Sequence, residues 1–334
     1  MISKKNIVFS IIAILLISGV YSTPNVYATI VATGGTITYS GDYTVHTFTT
    51  SGTFEITSGT DDVEYWLVAG GGGGSNGGGG AGQILNGTNS MTVGTFPVTI
   101  GATSGNGAKG NDSIFNGLTA DGGGAVGLGG GGSGGGGLYN NGLGGSATSL
   151  QTSGDWGYDG GRHETAWGFL PDDGGGGGAG EVGNTDGNGH GGDGIQTDID
   201  GTLTYYAGGG SAGRSSGTTA PSDGGGGTGM NACTSACSGG ANTGGGSGGS
   251  YSNGNGYTLG GSGILIVTYL TVNVPQPNAV DDLSYTNLTN NSLDLIWTEP
   301  ELGGGIVENY MKIQLAHIVA LQLFSQILLA YFIM

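Results

Sequence analysis

The chain has 334 residues, of which 81 are glycine, 24 are Asp or Glu and only 6 are Lys or Arg, for a formal charge of −18. A surface this acidic repels nucleic acid and anionic lipid and attracts cations, which excludes DNA or RNA binding. The glycines follow no Gly-X-Y period, which excludes collagen.

Lys4 and Lys5 form a basic start, Ile7 to Val20 is an uncharged apolar run, and Val26-Tyr27-Ala28 ends the polar stretch behind it. This is the layout of a secretory signal peptide spanning 1–28, with a mature N-terminus expected at Thr29. The alternative, an uncleaved anchor helix, meets an apolar run too short to span a bilayer comfortably. The expected location is therefore secreted or cell-surface. Past Ala28 the only bases are Lys109, Arg162, Arg214 and Lys312, so the mature chain carries −20, four bases against all 24 acids.

Residues 29–273 read as one glycine-rich β domain. Tyr43 to Thr50 and Thr53 to Thr57 are rich in Thr, Val, Phe and Tyr, and Ser51-Gly52 between them predicts a hairpin. Val63 to Ala69 is expected to follow a turn at Asp61-Asp62. Met91 to Ile100, Ser113 to Ala120, Thr202 to Ala207 and Gly263 to Val272 complete the strands. No segment before the last 30 residues has a helical pattern. The expected class is all-β, an antiparallel sandwich or jelly roll with long glycine-rich loops.

Three of these strands run straight into glycine: Leu67-Val68-Ala69 into Gly70, Ala120-Asp121 into Gly122, and Tyr206-Ala207 into Gly208. A disordered linker has no reason to begin each time at the end of an apolar strand. The tracts are therefore expected to leave one edge of the sheet together. Ordered glycine must satisfy its N–H and C=O groups on neighbouring tracts. A polyproline-II-type backbone leaves those groups free to pair sideways, so the tracts are expected to pack as side-chain-free rods. Gly70 to Gly82 would reach about 40 Å as a single rod at about 3.1 Å per residue.

The succession of strand, hairpin, VEYWLVAGGGGG, a polar strand ending VTIGA and a closing GGSGILIVTYL resembles the glycine-rich domain of phage tail fibres and prokaryotic surface proteins, over about Tyr39 to Leu270. The same plan is similar to the ligand-binding region of anaplastic lymphoma kinase-type receptors. The tail-fibre likeness implies adhesion or recognition at a surface; it does not imply a catalytic activity.

At Val274 the composition changes. Val-Pro-Gln-Pro, then Ala279 to Leu283 and Ser292 to Pro300, resembles the opening of a fibronectin type III domain, with Trp297 as core tryptophan and Tyr310 opening a third strand. The resemblance covers only 274–313, and a complete sandwich of that type takes about 90–100 residues. Residues 314–334 form an uncharged apolar tail, readable as a membrane anchor or as the product of a shifted reading frame. Gln314, His317, Gln322, Gln326 and the lack of a following basic residue favour the shifted frame.

No catalytic set is recognisable, and the chain is expected not to be an enzyme or to hold a cofactor. His46, His163, His190 and His317 have no Ser or Cys partner in a known motif. Gly101 to Gly110 lacks the hydroxyl residue of a phosphate loop. Cys233 and Cys237 in an exported chain are expected to form a disulfide. Asp186, Asp193, Asp198 and Asp200 form a carboxylate-dense, glycine-rich stretch suited to calcium, or else a solvated polar loop. Asn86, Asn111, Asn287 and Asn290 head glycosylation sequons. Trp156, Tyr158 and Trp167, with Phe169, either plug a core or form a ligand patch. The expected function is a surface structural or adhesive protein. Its expected partners are surface glycans or surface proteins, and a membrane only if the tail is an anchor. A carbohydrate- or receptor-binding module using loop 155–170 is the alternative, ahead of a secreted hydrolase.

Overall fold

Two segments, VEYWLVA and ILIVTYL, carry apolar residues on both faces, a pattern that only an inner strand can bury. They lie side by side. The computed structural model describes residues 30–271 apart from 106, 140–141, 164–172, 216, 234 and 253–257, together with two short strands at 284–286 and 294–296.

The strands are β1 (Val31–Thr33), β2 (Thr36–Ser40), β3 (Tyr43–Phe48), β4 (Gly52–Val68), β5 (Ile84–Thr99), β6 (Ser113–Phe115), β7 (Leu118–Ala120) and β8 (Asp155–Trp156). There follow β9 (Ile195–Thr197), β10 (Thr204–Tyr206), β11 (Thr218–Thr219), β12 (Gly229–Met230), β13 (Ile264–Leu270), β14 (Ser284–Thr286) and β15 (Asp294–Ile296). One nine-stranded sheet runs β2-β3-β13-β4-β5-β6-β7, with β1 beside β4 and β8 beside β5. Every pairing between these strands is antiparallel. The all-β antiparallel expectation is met by one continuous sheet plus two-stranded ribbons.

β13 comes from far along the chain and inserts between β3 and β4, with Val267 opposite His46 on one side and Tyr65 on the other. The hairpin expected at Ser51-Gly52 therefore does not exist: Gly52 instead starts the pairing of β4 with Val98 of β5. Nor is there a turn at Asp61-Asp62. β4 continues through both, with only a shift of register between Ile56 and Thr60. Local turn residues were overridden here by cross-strand pairing. A true two-residue hairpin occurs inside the run expected as a single strand. Asn116-Gly117 joins β6 to β7 with φ of 48° and 78°. Positive φ at both turn residues matches the strand twist, which is why Asn-Gly suits it.

Side-chain alternation sorts the strands into two cores. Val63, Tyr65 and Leu67 of β4, with Leu265, Val267 and Tyr269 of β13, join Phe54, Phe115 and Met91 on one face. Trp66, Val68, Ile264 and Ile266 turn to the other face, where Ala81, Ala179, Tyr206 and Ala207 cover them. That second cover belongs largely to the glycine-rich segments, which explains why these segments are ordered.

The glycine tracts pack as rods. In segment 77–83, Gly78 and Ala81 donate to Gly174 and Gly177, Gly79 and Gly82 to Ser247 and Gly244, and Gly80 and Gln83 to Gly124 and Asp121, at 2.8–3.1 Å. Each neighbour recurs after three residues, the period of a polyproline-II-type helix. The carbonyls accept in turn from Gly136 and Ser133, from Gly72 and Ala69, and from Gly210. The rod is thus surrounded by six others, three receiving and three giving. Each net backbone hydrogen bond contributes about 0.5–1.5 kcal/mol, which offsets the extra ordering entropy of glycine.

The single 40 Å rod is corrected: the chain folds back at Ser75-Asn76, giving antiparallel rods 70–74 and 77–83. The two non-glycines in an otherwise glycine run mark the turn. The chain divides into two compact units between Thr271 and Val272, close to the composition change noted at Val274. In the second unit β14 pairs antiparallel with β15. Segments 1–28 and 314–334, and Trp297 and Tyr310, lie outside the described residues. Among the described residues no helix is long and apolar enough to cross a membrane.

Candidate functional site

The carboxylates expected to act together are only partly brought together. Asp186 and Asp193 converge, and Glu181 joins them, their ligand oxygens all lying within 4.8 Å of one another. Asp198 and Asp200 sit instead in the β9–β10 loop, where Asp200 Oδ1 accepts from Thr202 N at 2.9 Å and Asp198 carbonyl from Gly201 N at 2.7 Å. Glu181 escaped notice because it lies on the preceding rod, which the fold lays against the Asp193 rod: Gly180 N donates to Asp193 carbonyl at 2.8 Å.

Burial, with help from Asp186 and Asp193, pushes the Glu181 carboxyl up, although the Asp193 backbone N–H opposes this. Burial also raises Asp193, opposed by the Asp223 backbone N–H that donates to it and helped by the charges of Asp223 and Asp186. Three oxygen donors of one sign suit a hard cation such as calcium. A carboxylate raised in the folded state binds more protons folded than unfolded, so its charge costs stability at neutral pH and that cost disappears as the pH falls through the raised value.

His46 behaves in the opposite sense. Its side chain is fully buried, with Nδ1 2.8 Å from Gly34 carbonyl and Nε2 3.2 Å from the Tyr269 hydroxyl. The carbonyl can only accept, so Nδ1 carries the proton and Nε2 accepts from Tyr269. Burial lowers the pKa of His46 from 6.5, with the Gly34 bond opposing. The unfolded chain therefore takes up the proton first, and stability is expected to fall as the pH drops below about 6.5. A His46→Phe variant, which keeps the packing against Phe54, should show a flatter acid limb in melts between about pH 5 and pH 7. An unchanged slope would remove His46 as the cause.

Cys233 and Cys237 form a disulfide in the described structure. It closes the loop beside the 3-10 turn Ser235–Cys237, whose Cys237 carbonyl accepts from Gly248 N at 2.7 Å. Of the aromatic loop, Trp156 packs against the second core and its Nε1 donates to Asn86 Oδ1 at 2.8 Å. Tyr158 is half-buried, and its backbone is paired with Gly134 and Gly178. Trp156 thus walls the core rather than forming an open platform, and Trp167 and Phe169 lie outside the described residues. Asn86 is half-buried on β5, Asn111 is exposed, and Asn287 and Asn290 are outside the described residues.

Three of the exposed large apolar residues sit at turns between the rods. Leu128, Tyr139 and Leu143 are 59, 66 and 52 % exposed. Their turns are held together by Gly127 N to Gly136 carbonyl at 2.7 Å and Gly142 N to Leu138 carbonyl at 2.9 Å. The Tyr139 ring meets His163 edge-on at 5.3 Å. These residues stand out in the sequence only as lone apolar residues between glycines, and the signal was diluted by the composition.

The second face of the β sheet is roofed by hydrogen-bonded glycine rods, and this roofed sheet is the frame on which these groups are held. The profile of the glycine-rich domain matches residues 47–270, and the chain belongs to that family. No curated protein matches the chain.

Proposed function

We propose that this is an exported, non-enzymatic cell-surface protein in which the rod bundle presents its far turns for adhesion. The observation that carries the reading is the exposed Leu128, Tyr139 and Leu143 on a scaffold whose backbone groups are internally paired. Rigid scaffolds with exposed apolar loop residues are the usual form of a recognition surface. Export through residues 1–28, a tail-fibre-type role and the fibronectin-like character of 274–313 belong to the same proposal, as do glycosylation and glycan or protein partners.

The test compares labelled wild-type protein with a Leu128→Ser, Tyr139→Ser, Leu143→Ser variant on cell surfaces and a glycan array. The proposal expects at least a tenfold loss of binding with an unchanged melt, since exposed substitutions cost little stability. Equal binding by both proteins, or turnover in a hydrolase screen, overturns it.

The carboxylates Glu181, Asp186 and Asp193 support calcium as a stabilising ion. Calcium at fixed ionic strength is expected to raise the melting temperature of wild type and of Asp198→Ala, and not that of Asp193→Ala. A rise matched by sodium would mean simple screening.

A further inference from the structure

A second feature lies away from the rod tips, on the sheet at the root of the bundle. A groove of about 310 Å³ opens between β4 and β5 on one side and the β9–β10 ribbon on the other. Its sheet wall is set by cross-strand register: Glu64 lies opposite Thr88, and Trp66 opposite Asn86. The ribbon contributes Thr197 and Asp198. Five of the six lie on paired strands, so the two ladders fix their positions, and Asp198 follows directly on Thr197 at the start of the β9–β10 loop.

We infer that this groove binds a neutral saccharide. Glu64 and Asp198 supply acceptors, Thr88 and Thr197 supply hydroxyls that both donate and accept, and Asn86 supplies an amide. The Asn86 oxygen is already taken by the Trp156 indole at 2.8 Å, which leaves Nδ2 as its outward donor. Trp66 is 5 % exposed, and its Nε1 has no hydrogen-bond partner among the described residues. That nitrogen is sealed from solvent, so the indole lines the groove as an apolar surface and not as a donor.

The mixture of donors and acceptors selects the ligand class. An anion is repelled by Glu64, Asp198 and the overall charge of −18. A simple cation would satisfy the two carboxylates and leave the amide and the hydroxyls unused. A polyhydroxyl compound uses all of them, because each sugar hydroxyl donates and accepts. The volume falls at the low end of small-molecule sites, about 300–1,000 Å³, which suits about one or two sugar rings. This site is independent of the adhesive reading of the rod tips.

The experiment uses the full chain, produced in a host without N-glycosylation so that Asn86 stays unmodified. Neutral mono- and disaccharides are titrated by saturation-transfer NMR, with glucosamine as the cationic arm and glucuronate as the anionic one. At least one neutral sugar should bind with a Kd on the order of 1 mM, as expected for an open groove with few contacts. Glu64→Ala and Asp198→Ala, both exposed positions, should each weaken it at least fivefold, and together more than tenfold, with unchanged melts. The variant altered at Leu128, Tyr139 and Leu143 should keep sugar binding. No saturable signal from any neutral sugar overturns the inference, as does binding that survives the double substitution. Preferential binding of glucosamine overturns it too, in favour of a cation site.

Discussion

Gly72→Val should lower the melting temperature by at least about 10 °C, corresponding to a loss of about 4 kcal/mol or more in a unit of this size. The cause is spatial. A Cβ at Gly72 would fall inside the Gly124 carbonyl group and lie 2.8 Å from the Gly123 carbonyl oxygen. Those atoms are backbone, held in turn by Gly80 N to Gly124 carbonyl at 2.9 Å and Gly110 N to Gly123 carbonyl at 2.8 Å. Moving them means moving two further rods, so no single side-chain rotation relieves the overlap. Gly52→Ala is the control, because a Cβ there meets only the Phe48 ring at 3.7 Å. That change should shift the melt by about 2 °C or less. Equal melts for wild type and Gly72→Val would show that the tracts do not pack as described.

A chain spanning 29–262 should fail to fold, whereas one spanning 29–271 should melt cooperatively. The difference is β13. Removing it leaves β3 and β4 with open facing edges, since Leu265 pairs with Phe48 on one side and Leu67 on the other. It also strips Leu265, Val267 and Tyr269 from the first core and Ile264 and Ile266 from the second. Each such side chain contributes about 1.5–3 kcal/mol on burial, and the five together are comparable to the whole stability of an ordinary domain, about 5–15 kcal/mol. Circular dichroism and a thermal melt decide the matter: a cooperative transition in 29–262 would refute the closing role of β13.

How much was legible before the fold is clearest in particular residues. VEYWLVA and ILIVTYL were legible as strands, and their apolar side chains on both faces agree with the inner places they take in the sheet. Their direct run into glycine indicated ordered tracts, and the second core bears this out, with Val68, Ala81, Ala179 and Ala207 in one cluster. Ser51-Gly52 and Asp61-Asp62 misled because turn propensity is worth little against a full ladder of cross-strand bonds. In the other direction, Asn116-Gly117 carried a plain hairpin signal that was read as the interior of a strand. Trp156 was recognisable as a core plug or a ligand patch, but only its bond to Asn86 and its packing against the second core show the first role.

Composition and residue order by themselves determined the acidic surface, the all-β class, the main strands, the Cys233–Cys237 pair and the rod-forming glycines. These follow from properties of single residues or of near neighbours: charge, side-chain alternation, and the absence of a Cβ. Only the tertiary structure decided that β13 parts β3 from β4, which rods touch which, that Glu181 replaces Asp198 and Asp200 beside Asp193, and that His46 is sealed against Tyr269. The physical reason is that glycine has no side chain to encode a partner. Its contacts are backbone hydrogen bonds that any tract could make, so their pairing is set by where the strands at the root of each tract are anchored.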